Sequence, residues 1–441
     1  MPFIANSDAD RAAMLAAIGA ASVEELFQDI PAAKRYPDLG MPKGLSELEV
    51  AREIESLAGK NLSANACAWF MGAGAYNHFI PAMVPALASR GEFLTAYTPY
   101  QPEVSQGTLQ AIFEYQSMAS KLFGVDTANA SHYDGATALA EAVLMAYNAG
   151  GGRKRVLIPA ARHPEYKDVL KTYLTAFEVE LVEYDGEPKA GTAMLDAGSC
   201  CFVASYPDFE GRVHDLGGVA DAVHAAGAVF IVHADPIMLG LFKSPGELGA
   251  DIVTAEGQAL GNAMNYGGPF LGMMGVTQKW VRKMPGRIVG QAADKEGRRG
   301  FVLTLSAREQ HIRREKAVSN ICSNQGLVML MATIYLEALG KRGLKAVAEL
   351  CWNKAHYAAS AIAKLPGFAI GQGTFFKEFV VKTPRPAAEI AEKLSKRGIV
   401  PGLPLSRYYP GRTHELLVCV TEMNTKAQID LLASALAEVT R

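Results

Sequence analysis

From Arg155 onward, short stretches of this chain are apolar almost throughout: Arg155 to Ala160, Val179 to Tyr184, Ser199 to Tyr206, Ala228 to His233 and Asp251 to Thr254. Stretches with helical spacing lie among them, at Glu165 to Ala176 and Leu216 to Ala226. Strands without a polar face, alternating with helices, predict a mostly parallel sheet covered on both sides. Ligands of such sheets gather at the carboxyl ends of the strands. Gly267 to Gly272 reads as a turn into a further strand. Arg282 to Gly300 is rich in glycine and charge and reads as a mobile or interface loop. A long helical region is predicted from near Ala307 to Leu339, with a break at Asn324–Gly326. Its polar start, Arg308 to Lys316, reads as a solvated face with pairs such as Glu309–Arg313.

The pattern changes near Gly340. Leu344 to Leu365 predicts a helix, Phe375 to Lys382 a strand, and Pro386 to Lys396 a helix. Leu416 to Thr421 follows as a strand and Lys426 to Val439 as an amphipathic helix. This is an α+β unit on the order of 100 residues. At the other end, Ala12, Met14, Leu15 and Ile18 repeat at helical spacing, and Ser22 is expected to cap a turn with Val23, Leu26 and Phe27. Ser46 with Glu49 forms a capping-box pattern ahead of a helix through Leu57. The expected organisation is a helical arm over 1–60, a large α/β domain over 61–340 and a small α+β domain over 341–441.

Composition narrows the function classes. The 441 residues are 49% hydrophobic and 20% charged, with a net charge of −2. That balance belongs to a globular chain with a large core, and it gives no field to draw nucleic acid or anionic membrane. No apolar run approaches the ~20 residues that span a bilayer. The six cysteines include no C-x-x-C pair, and four lie in apolar runs. They read as free thiols of a reducing cytoplasm.

The candidate chemistry centres on Tyr97-Thr-Pro-Tyr-Gln-Pro-Glu-Val-Ser-Gln-Gly107. Pro99 and Pro102 fix their own φ and hold the preceding residues out of helical geometry. The result is a stiff extended loop, with Ser105 as N-cap of the helix that follows. Tyr97, Tyr100, Gln101, Glu103, Ser105 and Gln106 offer phenols, amides, a hydroxyl and a carboxylate with no aliphatic anchor, which suits a ligand-facing surface. Gly72 and Gly74, in Met-Gly-Ala-Gly-Ala-Tyr, lack the third glycine of a dinucleotide fingerprint and read as a tight backbone passage. Asp134-Gly135 ends a small-residue turn ahead of an Ala-rich helix, whose first N–H groups are free to face an anion.

A large α/β domain followed by a small α+β domain resembles the aspartate-aminotransferase-like fold of pyridoxal-phosphate enzymes. The Tyr97–Gly107 loop resembles the signature loop of glycine decarboxylase, the P-protein of the glycine cleavage system. Asp-Thr-Ala-Asn-Ala-Ser from Asp126, Glu-Gly-Gln-Ala-Leu-Gly from Glu256, Arg-Glu-Gln-His-Ile-Arg-Arg-Glu-Lys-Ala from Arg308 and Ser-Asn-Ile-Cys-Ser-Asn-Gln from Ser319 resemble the same family. A single-chain P-protein is roughly twice this length, and the chain is similar to its N-terminal half, which many bacteria make as a separate α subunit, subunit 1.

The family fold expects an acid after the strand Ala228–Val232 and a Schiff-base lysine after the next strand. His233 and Gln258 stand at those positions, and glutamine has no amine to form an imine. Asp235 lies two residues late and Lys243 too early. The resemblance therefore implies no cofactor site in this chain. Pyridoxal phosphate is expected on the β subunit (subunit 2) of an α2β2 enzyme, with the Tyr97 loop closing the active site across the interface. It implies the activity of glycine dehydrogenase (aminomethyl-transferring, decarboxylating): glycine is decarboxylated and its aminomethyl group passes to the lipoyl arm of the H-protein. Two other readings stay open, a self-sufficient pyridoxal-phosphate aminotransferase or lyase and a purely structural scaffold. No nucleic acid, membrane or metal is expected, and the location is expected to be cytoplasmic.

Overall fold

The computed structural model describes residues 5–440 apart from Ala96, Val318 and Asn324. The break expected at Asn324–Gly326 therefore begins outside the described residues. The chain forms two compact units, Met1–Leu62 and Ser63–Arg441.

The first unit holds helices Asp8–Ile18 and Glu47–Ala58 with short turns between them. Both helices begin with a capping box, Ser7 with Asp10 and Ser46 with Glu49. Ser22 is not a side-chain cap: the short turn Glu24–Phe27 starts after Val23, without a side-chain hydrogen bond.

The second unit is built on a seven-stranded sheet. Its strands are β1 (Thr127–Ala128), β2 (Arg155–Pro159), β3 (Glu180–Tyr184), β4 (Ser199–Tyr206), β5 (Val229–Ala234), β6 (Ile252–Glu256) and β7 (Gly272–Val276). Their spatial order is β1-β7-β6-β5-β4-β2-β3. β7 runs antiparallel to both neighbours, and the five strands from β6 to β3 are parallel. Alternate residues feed two cores, as the pleat requires. Leu157, Phe202, Phe230, Val232 and Val253 face Leu109, Tyr115 and Phe123 of helix Gln106–Phe123. Val156, Ile158, Val203, Ile231 and Ile252 face Val143 of helix Gly135–Ala149 and Leu170 of helix Pro164–Leu174. The apolar strands are two-sided because both faces carry helices.

A second sheet follows, four strands in the order Ala369–Ile370, Glu378–Lys382, Glu415–Cys419 and Leu403–Pro404, all antiparallel. Helices Ala387–Ser395 and Lys426–Val439 and the end of the long helix close its core through Ile390, Leu394, Leu432, Leu436 and Ile362. That long helix, Gly326–Ile362, turns at Gly340, where φ is 57° and ψ −177°. The left-handed φ is cheap only for glycine.

Two expectations fail here. Arg282 to Gly300 is not an open loop. Ile288–Ala293 and Arg299–Thr304 pair as an antiparallel hairpin, with Ile288, Val289 and Phe301 buried. Asp294 turns its tip by accepting from the Glu296 and Arg298 N–H groups. Nor does a long helix start at Ala307. Residues 306–316 form three short turns, and Glu309 is buried against Arg287 rather than paired with Arg313, whose Nε donates to the Ala307 carbonyl.

The glycine passage is tight. A Cβ at Gly72 would lie 2.5 Å from Glu378 Oε1 and 2.8 Å from Cys419 Cβ. Gly72→Ala is expected to destabilise the protein by about 1–3 kcal/mol, the usual cost of overpacking. Urea unfolding of the two proteins measures it, and an unchanged midpoint would contradict the packing described.

Candidate functional site

The carboxyl ends of β4, β5 and β6 meet at a cavity of about 80 Å³, lined among others by Tyr76, Tyr166, His233, Asp235, Glu256 and Glu378. Cofactor-sized ligands need ~300–1,000 Å³. The residues that would form a cofactor seat are bonded to one another instead. Glu256, the last residue of β6, accepts from the N–H of Gly135 (2.8 Å), Gln258 (2.9 Å) and Leu271 (2.9 Å). Gly135 is the first residue of helix Gly135–Ala149, so a carboxylate of the protein takes the helix N-terminus, where an anion is expected to bind. Asp134 takes a second donor there, the Thr137 N–H, at 2.7 Å. Burial pushes the Glu256 carboxyl up to about 8, against the three N–H groups that favour its charge.

Gln258 is held from both sides. Its Oε1 accepts from the Tyr76 N–H at 2.8 Å, and its Nε2 donates to the carbonyls of Tyr76 (3.1 Å) and Asn262 (2.7 Å). His233 shares a hydrogen bond with Thr254 Oγ1 at 3.0 Å, and Tyr166 stands edge-on to its ring. Burial drives His233 down to about 4, which leaves a neutral ring where a pyridinium partner needs a charge. These residues do not fit pyridoxal phosphate: there is no imine-forming side chain at 258, no free phosphate seat and no acid at 233.

Asp235 has a different task. It lies 2.6 Å from the ammonium of Lys377, a buried residue next to strand Glu378–Lys382, and accepts from the Ile237 and Met238 N–H groups. The ammonium sits 3.5 Å from the centre of the Tyr76 ring and 3.2 Å from His78 Nε2. Nδ1–H of His78 then donates to Glu422 at 2.7 Å. Glu378 accepts from Tyr76 Oη and the Ala73 N–H. Lys243, the other residue weighed for cofactor chemistry, is an exposed loop residue.

The Tyr97 loop lies elsewhere. None of its residues lines the cavity above. Tyr97 is 74% exposed and meets Tyr100 edge-on. Tyr100 Oη accepts from Arg287 at 2.7 Å, and its ring packs against His311. Arg287 is ion-paired with Glu309, both buried. Thr98 and Ser323 hydroxyls meet at 3.1 Å. Gln101 and Glu103 are exposed, whereas Gln106 is a brace: its amide bonds Phe301 N–H and C=O. Ser105 precedes the helix, but its side chain makes no capping bond. The loop thus presents Tyr97, Gln101 and Glu103 outward over a base of Tyr100, Arg287, Glu309 and His311. Sequence reasoning missed Arg287 and Lys377, because each gains its meaning only from partners far away in the chain.

The seven-stranded sheet, its antiparallel strand and the covering helices are those of the fold type I pyridoxal-phosphate enzymes. A Burkholderia pseudomallei sphingosine-1-phosphate lyase structure, 16% identical over 93% of this chain and 94% of its own, superposes with a TM-score of 0.65. The model of the glycine cleavage system P-protein family matches residues 1–436. A crystal structure of glycine decarboxylase (P-protein) of the glycine cleavage system in inhibitor-bound form is 42% identical over the full length of both chains, with a TM-score of 0.90. Relatives from Thermomicrobium roseum and Desulforamulus reducens, each named "Probable glycine dehydrogenase (decarboxylating) subunit 1", are 50% identical over all of both chains. This chain belongs to the glycine cleavage system P-protein family.

The buried relay gives a pH dependence. Burial works against the charge of Glu422, but the His78 hydrogen bond and the Phe79 N–H hold its carboxyl down at about 2. A carboxyl depressed on folding adds stability that is present above its unfolded value near 4.5 and lost as pH falls towards 2. Urea unfolding of the wild type is expected to weaken from about pH 5 to pH 3, and Glu422→Gln to flatten that slope. Equal slopes in the two proteins would remove Glu422 from the acid response.

Proposed function

We propose that this chain is the cofactor-free subunit of a two-subunit glycine decarboxylase. Its partner, the β subunit, binds pyridoxal phosphate, which supplies the electron sink for decarboxylation. The pair, an α2β2 assembly, takes glycine and hands the aminomethyl group to the lipoylated H-protein. One observation carries the reading: glutamine stands at 258, held by Tyr76 and Asn262, beside a carboxylate on the helix N-terminus. The family membership and the relatives named subunit 1 support a partner subunit. Residues 61–340 and 341–441 act as the large and small domains.

In this reading the outward residues of the Tyr97 loop complete the partner's site. Tyr97 and Gln101 position substrate or the lipoyl arm, and Glu103 orients it or exchanges protons. Tyr100 and Gln106 hold the loop, Tyr100 through Arg287 and Gln106 through Phe301, and Ser105 leads into the helix behind it. The proteins are expected to work in the cytoplasm. Among the described residues no helix is long and apolar enough to cross a membrane.

The test is borohydride reduction of the co-expressed pair in pyridoxal phosphate, followed by peptide mass analysis. Label is expected on the β subunit alone. A specific label on Lys243, Lys377 or any other lysine of this chain would overturn the proposal in favour of a self-sufficient enzyme. Tyr97→Phe and Glu103→Gln separate a catalytic loop from a scaffold. Each is expected to lower kcat of the assembled enzyme about tenfold or more with co-purification intact. Full turnover in both variants would leave the chain a scaffold.

A further inference from the structure

A second cavity, of about 250 Å³, opens on the helix Gly135–Ala149 side of the sheet. Its walls carry Arg282, Lys283, Arg308, Arg313 and Lys316, with Glu141 as the single acid. Among the described residues none of these five cations lies within ion-pair distance of a carboxylate. Most basic clusters are solvated faces, and Arg313 and Lys316 alone would be one. Arg308 is different. Its Nε donates to the Leu305 carbonyl and its Nη2 to the Gly286 carbonyl, both at 3.1 Å, which fixes the guanidinium plane. Its Nη1 is buried and has no hydrogen-bond partner. Arg308 is thus an oriented cation in the cavity wall with one donor left over, a setting that favours an anion beside it. The neighbouring Arg287 is not one, since it is a cation already paired with Glu309.

The single acid does not neutralise the cluster. Glu141 accepts from Ser319 Oγ at 2.8 Å, and burial raises its carboxyl to about 7. Burial, and then the charge of Arg287, pulls Arg308 down to about 10, still protonated at neutral pH. An anion entering the cavity offsets the repulsion between Arg308 and Arg287.

We propose that this cavity binds a phosphate group. A single carboxylate offers one negative charge to five cations. A phosphate offers two, and three oxygens that suit a fixed guanidinium fork. The volume holds an inorganic phosphate or the phosphate end of a small monoester. A nucleic-acid strand does not match a walled cavity on a chain of net charge −2. The site uses none of the Tyr97 loop residues and stands whether or not the subunit reading above holds.

The test is thermal unfolding and isothermal titration of the purified chain with inorganic phosphate, against sodium chloride at equal ionic strength. A saturable rise in the unfolding midpoint and a single binding site are expected with phosphate alone. Arg308→Met and Lys316→Gln are each expected to weaken binding tenfold or more, and the exposed Lys316 decides if the Arg308 variant does not fold. Glycerol phosphate, run in parallel, separates the sources: tighter binding than inorganic phosphate assigns an ester ligand, weaker binding the free anion. No response beyond chloride, or a wild-type affinity in both variants, would overturn the proposal.

Discussion

A lysine with no access to water joins the two sheets of the larger unit. Lys377 stands beside an inner strand of the small sheet, and Asp235 at the carboxyl end of β5 in the large one. Dehydrating both charges is expensive, and the pair persists only because every remaining valence is used. Asp235 has two backbone donors, and the ammonium has a ring face and an imidazole nitrogen. The relay runs on through His78 to Glu422, after the last strand of the small sheet. Removing one member leaves the others as uncompensated buried charge, so the orientation of the two sheets and the position of Asp235 are one constraint.

That constraint explains why the acid of the site is spent. An aspartate serving a bound pyridinium nitrogen must face into the cavity. Here a neutral His233 and Asp235 both line the cavity, but Asp235 is already taken by the Lys377 ammonium. The same logic holds at the helix N-terminus. The N–H groups that would hold a phosphate are occupied by the Glu256 carboxyl, and a tethered side chain has no translational entropy to lose. Gln258 then closes the gap by bonding Tyr76 in both directions.

Much of this could be read from the chain, within limits set by physics. The two-sided strands β2 and β4 to β6 were legible because burial on both faces leaves an unbroken apolar run. Gln258 was legible because an imine requires an amine, whatever the structure. The hairpin Ile288–Thr304 was hidden because its exposed positions and tip, Gln291 to Arg299, outweigh the few buried residues that define the pairing. The segment 306–316 has helical composition, but Glu309 is drawn inward by Arg287, and that tertiary pair breaks the local propensity. Lys377 falls within the run Phe375 to Lys382, which reads simply as a strand. Nothing near it in sequence announces a partner 142 residues earlier.

The division between the two ends of the site follows from the same economy. Where Glu256, Gln258 and His233 are bonded within the chain, the exposed loops are left for contacts with other molecules. On the face that carries the Tyr97 loop, the surface is unusually well supported. Arg287 and Glu309 neutralise each other beneath Tyr100, and Gln106 pins the loop's far end to the hairpin. Such a base keeps exposed phenol and carboxylate side chains in place without closing them off. A residue that reaches across an interface needs that combination: rigid backbone, unpaired side chain. Among the described residues the side chains of Tyr97, Gln101 and Glu103 have no hydrogen-bond partner, whereas those of His233, Glu256 and Gln258 are bonded within the chain.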